Sequence, residues 1–194
     1  MEVDRLKNGK DAAKQLRLDI LKMALNAGSN GAHLGGSLSC VEILTALYNG
    51  IMQFDPGNPS WEERDRFILS KGHVSMVYYA ALCRAGYFSE AELLSFNSDG
   101  SPFPTHSVAN ANKGIEISSG SLGWGLSIGI GYALAARKKN AKWRTYVLLG
   151  DGECNEGSVW EAFMTAARMK LDNLTAIIDC NGMQLDGANA VMQP

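Results

Sequence analysis

Residues 146–185 read YVLLGDGECNEGSVWEAFMTAARMKLDNLTAIIDCNGMQL, and the fold turns on this stretch. A short apolar run over 146–149 stops at Gly150-Asp151-Gly152. An amphipathic segment follows from about 156 to 170, and a second apolar run over 174–178 ends in Asp179-Cys180-Asn181. Two short apolar runs flanking a segment of helical period predict a strand–helix–strand unit with polar residues at both carboxyl ends. Parallel strands joined in this way take a right-handed crossover, so their carboxyl ends emerge on the same edge of the sheet. Asp151 and Asn181, thirty residues apart in the chain, are expected to be neighbours there, at the edge where open α/β sheets bind ligands.

A carboxylate and an amide oxygen are ligands for a hard cation such as magnesium or calcium, not for zinc or copper. Magnesium commonly takes one or two protein oxygens and completes its shell with phosphate. The glycines beside Asp151 let backbone approach a diphosphate, and a helix beginning near Glu156 offers free N–H groups. Gly-Asp-Gly alone is equally an ordinary turn. The asparagine closing the next strand turns the reading towards a metal site.

The chain has 194 residues, 46% of them hydrophobic and 20% charged, which suits one globular domain with a substantial core. A formal net charge of −2 supplies no basic field for nucleic acid. No apolar run reaches the length of a membrane span, and the charged first twenty residues do not read as a secretory signal. The four cysteines, Cys40, Cys83, Cys154 and Cys180, are scattered without a CxxC pair. That pattern predicts reduced thiols in a cytoplasmic protein.

Outside the central stretch, apolar residues recur at helical spacing over 12–27 (Leu16, Ile20, Met23, Leu25), with Gly28 as the stop. Residues 28–39, GSNGAHLGGSLS, form a glycine-rich loop carrying His33. It is either a turn before a helix that starts near Ser39, capped by Ser37 or Ser39, or a loop whose backbone and imidazole approach a small polar ligand. FDPGNPSW at 54–61 is a surface loop. RDRFIL at 64–69 is a short strand, followed by Ser70-Lys71-Gly72-His73 and a helix over 74–84. His73 is a cap, a packing residue or a site residue. Ser89 and Glu92 have capping-box spacing for a short helix. An irregular stretch, 97–110, carries His106. SGSLGWG at 119–125 then leads into a small-residue helix through about 138, in which Gly125, Gly129 and Gly131 allow close packing.

GDG, some thirty residues, and an Asn closing an apolar strand resemble the thiamine diphosphate motif. With SKGH at 70–73, HLGGSLS at 33–39 and the GSL at 120–122, the chain resembles transketolase. The resemblance runs from about 12 to 187. It implies an α/β fold of three α/β/α layers with a mostly parallel sheet, residues 1–194 forming a single diphosphate-binding domain cut short at its carboxyl end. It implies thiamine diphosphate as cofactor, anchored by Mg2+ (with Ca2+ or Mn2+ as substitutes) held by Asp151, Asn181 and the backbone carbonyl of Met183. Gly152, the backbone of Gly120, Ser121 and Leu122, and His73 fall at cofactor contacts. Glu156 matches a glutamate that links paired active sites at a subunit interface, and Leu185 matches an apolar residue near the cofactor rings. His33 and His106 match histidines that touch the donor sugar, His106 at its reacting end.

All three histidines of the chain thus fall at family site positions, and imidazoles suit proton transfers around a ketose hydroxyl and carbonyl. Leu34 replaces the usual proline, Thr105 and Ser107 replace the glycine and proline around His106, and Trp124 stands where glutamine or histidine is common. These departures imply a less rigid loop at Leu34, an altered donor specificity at Thr105 and Ser107 and, at Trp124, either a narrowed pocket or a sealed interface. In the family the cofactor lies between this domain and a pyrimidine-binding domain of another subunit. The resemblance therefore implies the N-terminal subunit of a split transketolase. Such a subunit transfers a two-carbon ketol unit from a ketose phosphate to an aldose together with a C-terminal subunit, in a heterotetramer. The alternatives are a deoxyxylulose-phosphate synthase-like or two-oxo-acid dehydrogenase subunit, and a non-catalytic cofactor-binding scaffold; SKGH and HLGGSLS favour transketolase over the other enzymes.

Overall fold

In the computed structural model, residues 9–185 and 187–192 are described, and they gather into two compact units. One unit holds the chain up to Glu62 together with His73–Ser118; the other holds Glu63–Gly72 and the chain from Ser119 onward.

The second unit contains the strand–helix–strand element. Strand β1 is Arg66–Leu69, helix α6 is Gly125–Lys139, β2 is Thr145–Gly150, α7 is Gly157–Arg168 and β3 is Leu174–Asp179. The three strands form a parallel sheet in the order β1-β2-β3. All six residues of β2 are buried, as a central parallel strand requires, whereas β3 is mostly half-buried at the edge of the sheet. In register, Gly150 lies opposite Asp179, so the polar ends of β2 and β3 come out side by side. Helix α6 packs on β2 through Gly129, where a Cβ would run into Val147. Gly125 is likewise pressed on Ser70, but Gly131 has nothing within 4 Å and contributes no packing. After β3 come a two-stranded antiparallel hairpin, β4 (Met183–Gln184) and β5 (Gly187–Ala188), and a short helix, α8 (Asn189–Met192).

The first unit is helical. Helix α1, Gly9–Ala27, buries Ala13, Leu16, Ile20, Met23 and Ala27 at spacings of three and four, and Gly28 ends it with φ +53°. Leu25, expected on the apolar face, is exposed. Asp19 is buried in the same helix and takes two hydrogen bonds of 2.6 Å from Arg84. The glycine-rich stretch differs from the expected loop. Residues Leu34–Ser39 form helix α2, directly followed by α3 at Val41–Ala46. Neither Ser37 nor Ser39 caps a helix; the Ser39 hydroxyl donates instead to the Gly36 carbonyl at 2.8 Å. Helix α4, Ser75–Ala85, is buried over its first nine residues and stops at Gly86 in the left-handed region. Helix α5, Glu90–Leu93, carries the expected capping box between Ser89 and Glu92. An aromatic cluster closes this core, with Phe88 and Tyr79 against Phe103 at ring separations of 4.4 and 5.0 Å. Among the described residues no helix is long and apolar enough to cross a membrane.

Candidate functional site

At the carboxyl ends of β2 and β3, Asp151 and Asn181 are brought together as their spacing predicts. The Asp151 carboxylate accepts from Gly152 N at 2.9 Å through Oδ1 and from Gly182 N, the amide next to Asn181, at 2.8 Å through Oδ2. Its own amide donates to the Asp179 carbonyl. Asn181 Oδ1 accepts from Met183 N at 2.9 Å, and Nδ2 donates to Asp179 Oδ2 at 3.1 Å, which fixes the direction of the amide oxygen. Beneath them the buried Lys71 ammonium meets Asp179 Oδ2 at 2.5 Å. Each oxygen of Asp151 and Asn181 keeps a lone pair beyond the hydrogen bond it already accepts.

The donors at this end are hard oxygens: one carboxylate, one amide and the backbone carbonyls of an exposed loop. Among the described residues no group of three or more His, Cys, Asp or Glu is arranged to hold a metal. A cation here would take few protein charges and rely on other oxygens, which is how magnesium binds phosphates. Two buried polar atoms beside the turn, Gln184 Nε2 and Asn189 Oδ1, have no hydrogen-bond partner. A Cβ on Gly152 would meet Gln184 Cγ at 2.7 Å, so only glycine fits against the hairpin. The residues present therefore fit a hard cation with a phosphate-bearing ligand. Burial, and then the neighbouring carboxylates, push the thiol pKa of Cys154 up, which disfavours its thiolate form. None of the four cysteines is in a disulfide.

Glu153, which the sequence reading passed over, is 3% exposed. Its carboxylate accepts from Gly123 N at 2.8 Å, from Gly150 N at 3.0 Å and from the Ser70 hydroxyl. An acidic residue one step past a Gly-Asp-Gly turn, among several glycine amides, was the available signal. Gly120, Ser121 and Leu122 are exposed, whereas Gly123 and Gly125 on either side of Trp124 are buried. Trp124 and Leu185 project to the surface at 65% and 91% exposure, and Glu156 and Met183 are exposed as well.

The three histidines are collected in the first unit. The His33 ring lies 5.4 Å from that of His73 and 6.0 Å from that of His106, edge-on to both. His33 stands at the start of α2 and His73 in the short turn before α4. Gly36 lets the two segments approach; a Cβ there would meet Val74 at 2.8 Å and His73 at 3.8 Å. His106 follows a strand of chain tied at two carbonyls, Pro104 by the Tyr79 hydroxyl and Thr105 by the Ser75 hydroxyl. Thr105 and Ser107 thus sit in a fixed segment, with Ser107 buried. Partial desolvation, and then the charge that His33 can carry, lower the pKa of His106 below the usual histidine value.

Residues 8–193 match the family described as transketolase, thiamine diphosphate binding domain. The chain is 45% identical over 162 residues to the 6-deoxy-6-sulfo-D-fructose transketolase subunit SqwG of Clostridium sp. (strain MSTE9), with 84% of this chain and 59% of that protein covered. It is 45% identical over 175 residues to a subunit of the apulose-4-phosphate transketolase of Actinobacillus succinogenes, with 90% and 63% covered. The chain thus spans about three fifths of the length of these curated relatives. Among solved structures, transketolase from Leishmania mexicana superposes with a TM-score of 0.88 at 29% identity, covering 96% of this chain and 29% of that one.

Proposed function

Since the chain belongs to the transketolase family, as its thiamine diphosphate-binding domain, we propose that it is one subunit of a split transketolase. On this reading it holds thiamine diphosphate through Mg2+ and transfers a two-carbon ketol unit from a ketose to an aldose when joined by a second chain. The observation that supports this most is the pairing of the Asp151 carboxylate with the Asn181 loop at the ends of β2 and β3, a hard-oxygen pair beside glycine backbone. The names of the two relatives support the division into subunits. Their substrates, one a phosphate and one a sulfo sugar by name, support a donor that carries a terminal anion.

Asp151, Asn181 and the Met183 carbonyl would hold the metal. The backbone of Gly120, Ser121, Leu122 and Gly152, with His73 and Leu185, would hold the cofactor. Glu156, exposed at the start of α7, would meet a neighbouring subunit through which the domain self-associates. The chemistry that thiamine diphosphate would supply here is a carbon nucleophile for carbonyl groups. The work left to this chain is to bind, orient and move protons. His33 and His106 would bind the donor's hydroxyls and carbonyl oxygen. His106, whose charged form is disfavoured, is suited to accept a hydroxyl proton through an imidazole nitrogen at neutral pH.

Calorimetric titration of Mg2+ and thiamine diphosphate, with and without the partner subunit, tests the proposal. Saturable binding that needs Mg2+ and disappears in Asp151→Ala is the expected result. Metal-independent binding, or none to any assembly, would remove the reading and leave a scaffold subunit.

A further inference from the structure

The turn over 119–125 is fastened to the sheet at three places, all within the second unit. Ser119 and Gly120 lie so close to Gly72 that a Cβ there would meet Ser119 Oγ at 2.5 Å and Gly120 N at 2.8 Å. Gly125 N donates to Ser70 Oγ at 3.2 Å, at the end of β1. Gly123, with φ +84°, donates its N–H to Glu153 Oε1 and accepts the Ser158 hydroxyl at its carbonyl, 3.1 Å away. Glu153 is the common point of this arrangement. Oε1 receives Gly123 N–H and the Ser70 hydroxyl, while Oε2 receives Gly150 N–H at the end of β2. The Ser70 hydroxyl, donating to Glu153 and accepting from Gly125, carries the same tie one residue further.

We infer that Glu153 is a positioning residue, which locks the turn so that the exposed backbone of Gly120, Ser121 and Leu122 is held ready for the cofactor. This rests on the proposed thiamine diphosphate reading. The chemistry of the three bonds makes it specific to a carboxylate. A carboxylate is acceptor-only on both oxygens, and here two backbone amides and a hydroxyl point at it. A glutamine of the same shape has one acceptor. If its oxygen faces Gly123, its NH2 opposes the Gly150 N–H; if it is flipped, the NH2 opposes the Gly123 N–H. Either way a buried amide is left facing a donor. Glu153→Gln therefore keeps the volume and loses the lock.

The test uses the full-length protein, with its partner subunit if binding needs it. Mg2+ and thiamine diphosphate are titrated into wild type, Glu153→Gln and Asp151→Ala, and hydrogen exchange is followed without and with saturating cofactor. Glu153→Gln is expected to bind about 10- to 100-fold more weakly, the scale seen when residues that orient a site are lost. Exchange should quicken at Gly123 and Gly125 while β2 and β3 stay protected, and saturating cofactor should restore the slow rates. Should Glu153→Gln fail to fold, Ser70→Ala removes the acceptor of the Gly125 N–H and one of the three donors to Glu153, leaves the Gly123 and Gly150 bonds in place, and should give a few-fold weakening with faster exchange at Gly125. Wild-type affinity in the recovered variant, with Asp151→Ala unable to bind, overturns the inference and leaves the functional reading standing. Loss of protection throughout β2 and β3 overturns it too, by making Glu153 a general structural residue. Failure of the wild type to bind, or binding by Asp151→Ala equal to wild type, removes the functional reading and the inference together.

Discussion

Lys71 and Asp179 are 2% and 8% exposed at their side chains and meet at 2.5 Å, directly below the Asp151–Asn181 end of the sheet. Removing the ammonium strands a buried carboxylate, which costs about 3–5 kcal/mol in comparable buried pairs. Chemical denaturation of Lys71→Met is therefore expected to show a loss of that order, with partial recovery in Lys71→Met/Asp179→Asn because the second change removes the stranded charge. His106 gives a separate, pH-dependent prediction. Its folded pKa is depressed, so below about 6.5 the unfolded chain binds the proton that the folded chain resists. The stability this group contributes is full above the unfolded value and is lost as pH falls through the folded one. An NMR titration should place the His106 midpoint below 6.5, and His106→Asn should remove that part of the acid-side loss. Individual site residues were legible to different degrees. Asp151 and Asn181 could be placed because strand register converts sequence spacing into position. Glu153 and Lys71 could not, since acidic and basic residues normally lie on the surface and their burial depends on partners 83 and 108 residues away.

Helix α6 offers a paired experiment at the level of packing. Gly129 lies against Val147, with Leu174 at 3.4 Å from any added Cβ, while Gly131 two residues on faces open space. Gly129→Ala overpacks the helix–sheet contact and should destabilise by about 1–3 kcal/mol. Gly131→Ala, with ordinary helical backbone and no neighbour, should stabilise by about 0.4–1 kcal/mol by restricting the unfolded chain. Denaturation midpoints of the two variants check both signs. The same contrast explains what the sequence made readable. Long periodic segments, α1, α4, α6 and α7, lie within a few residues of their expected limits, as do all three strands of the parallel sheet. Residues 28–39 did not behave as composition suggests. Two glycines disfavour helix, but Leu34–Ser39 closes into α2 all the same, and Gly36 then serves the close approach to Val74 rather than a flexible loop. Local propensity was overridden by tertiary contact, which a single sequence does not display.

For the molecule as a whole, the family domain matches over residues 8–193, yet the chain spans only about three fifths of its subunit-type relatives and a smaller share of full transketolases. The class of fold and the thiamine diphosphate-binding family were legible because the GDG…N spacing falls at the ends of two adjacent parallel strands. Sugar identity was not, since the settings of Leu34 at the start of α2, of the buried Ser107 and of the exposed Trp124 are fixed by tertiary contacts that a single sequence does not display. The proposed account makes a site completed only by a second chain. Its most direct test is two-carbon transfer from an anionic ketose to an aldose, with Mg2+ and thiamine diphosphate, using this chain by itself, the partner chain by itself and the two together. The account predicts transfer only by the two together, abolished in Asp151→Ala. Full transfer by this chain without a partner, or none by a mixture that binds the cofactor, would contradict it.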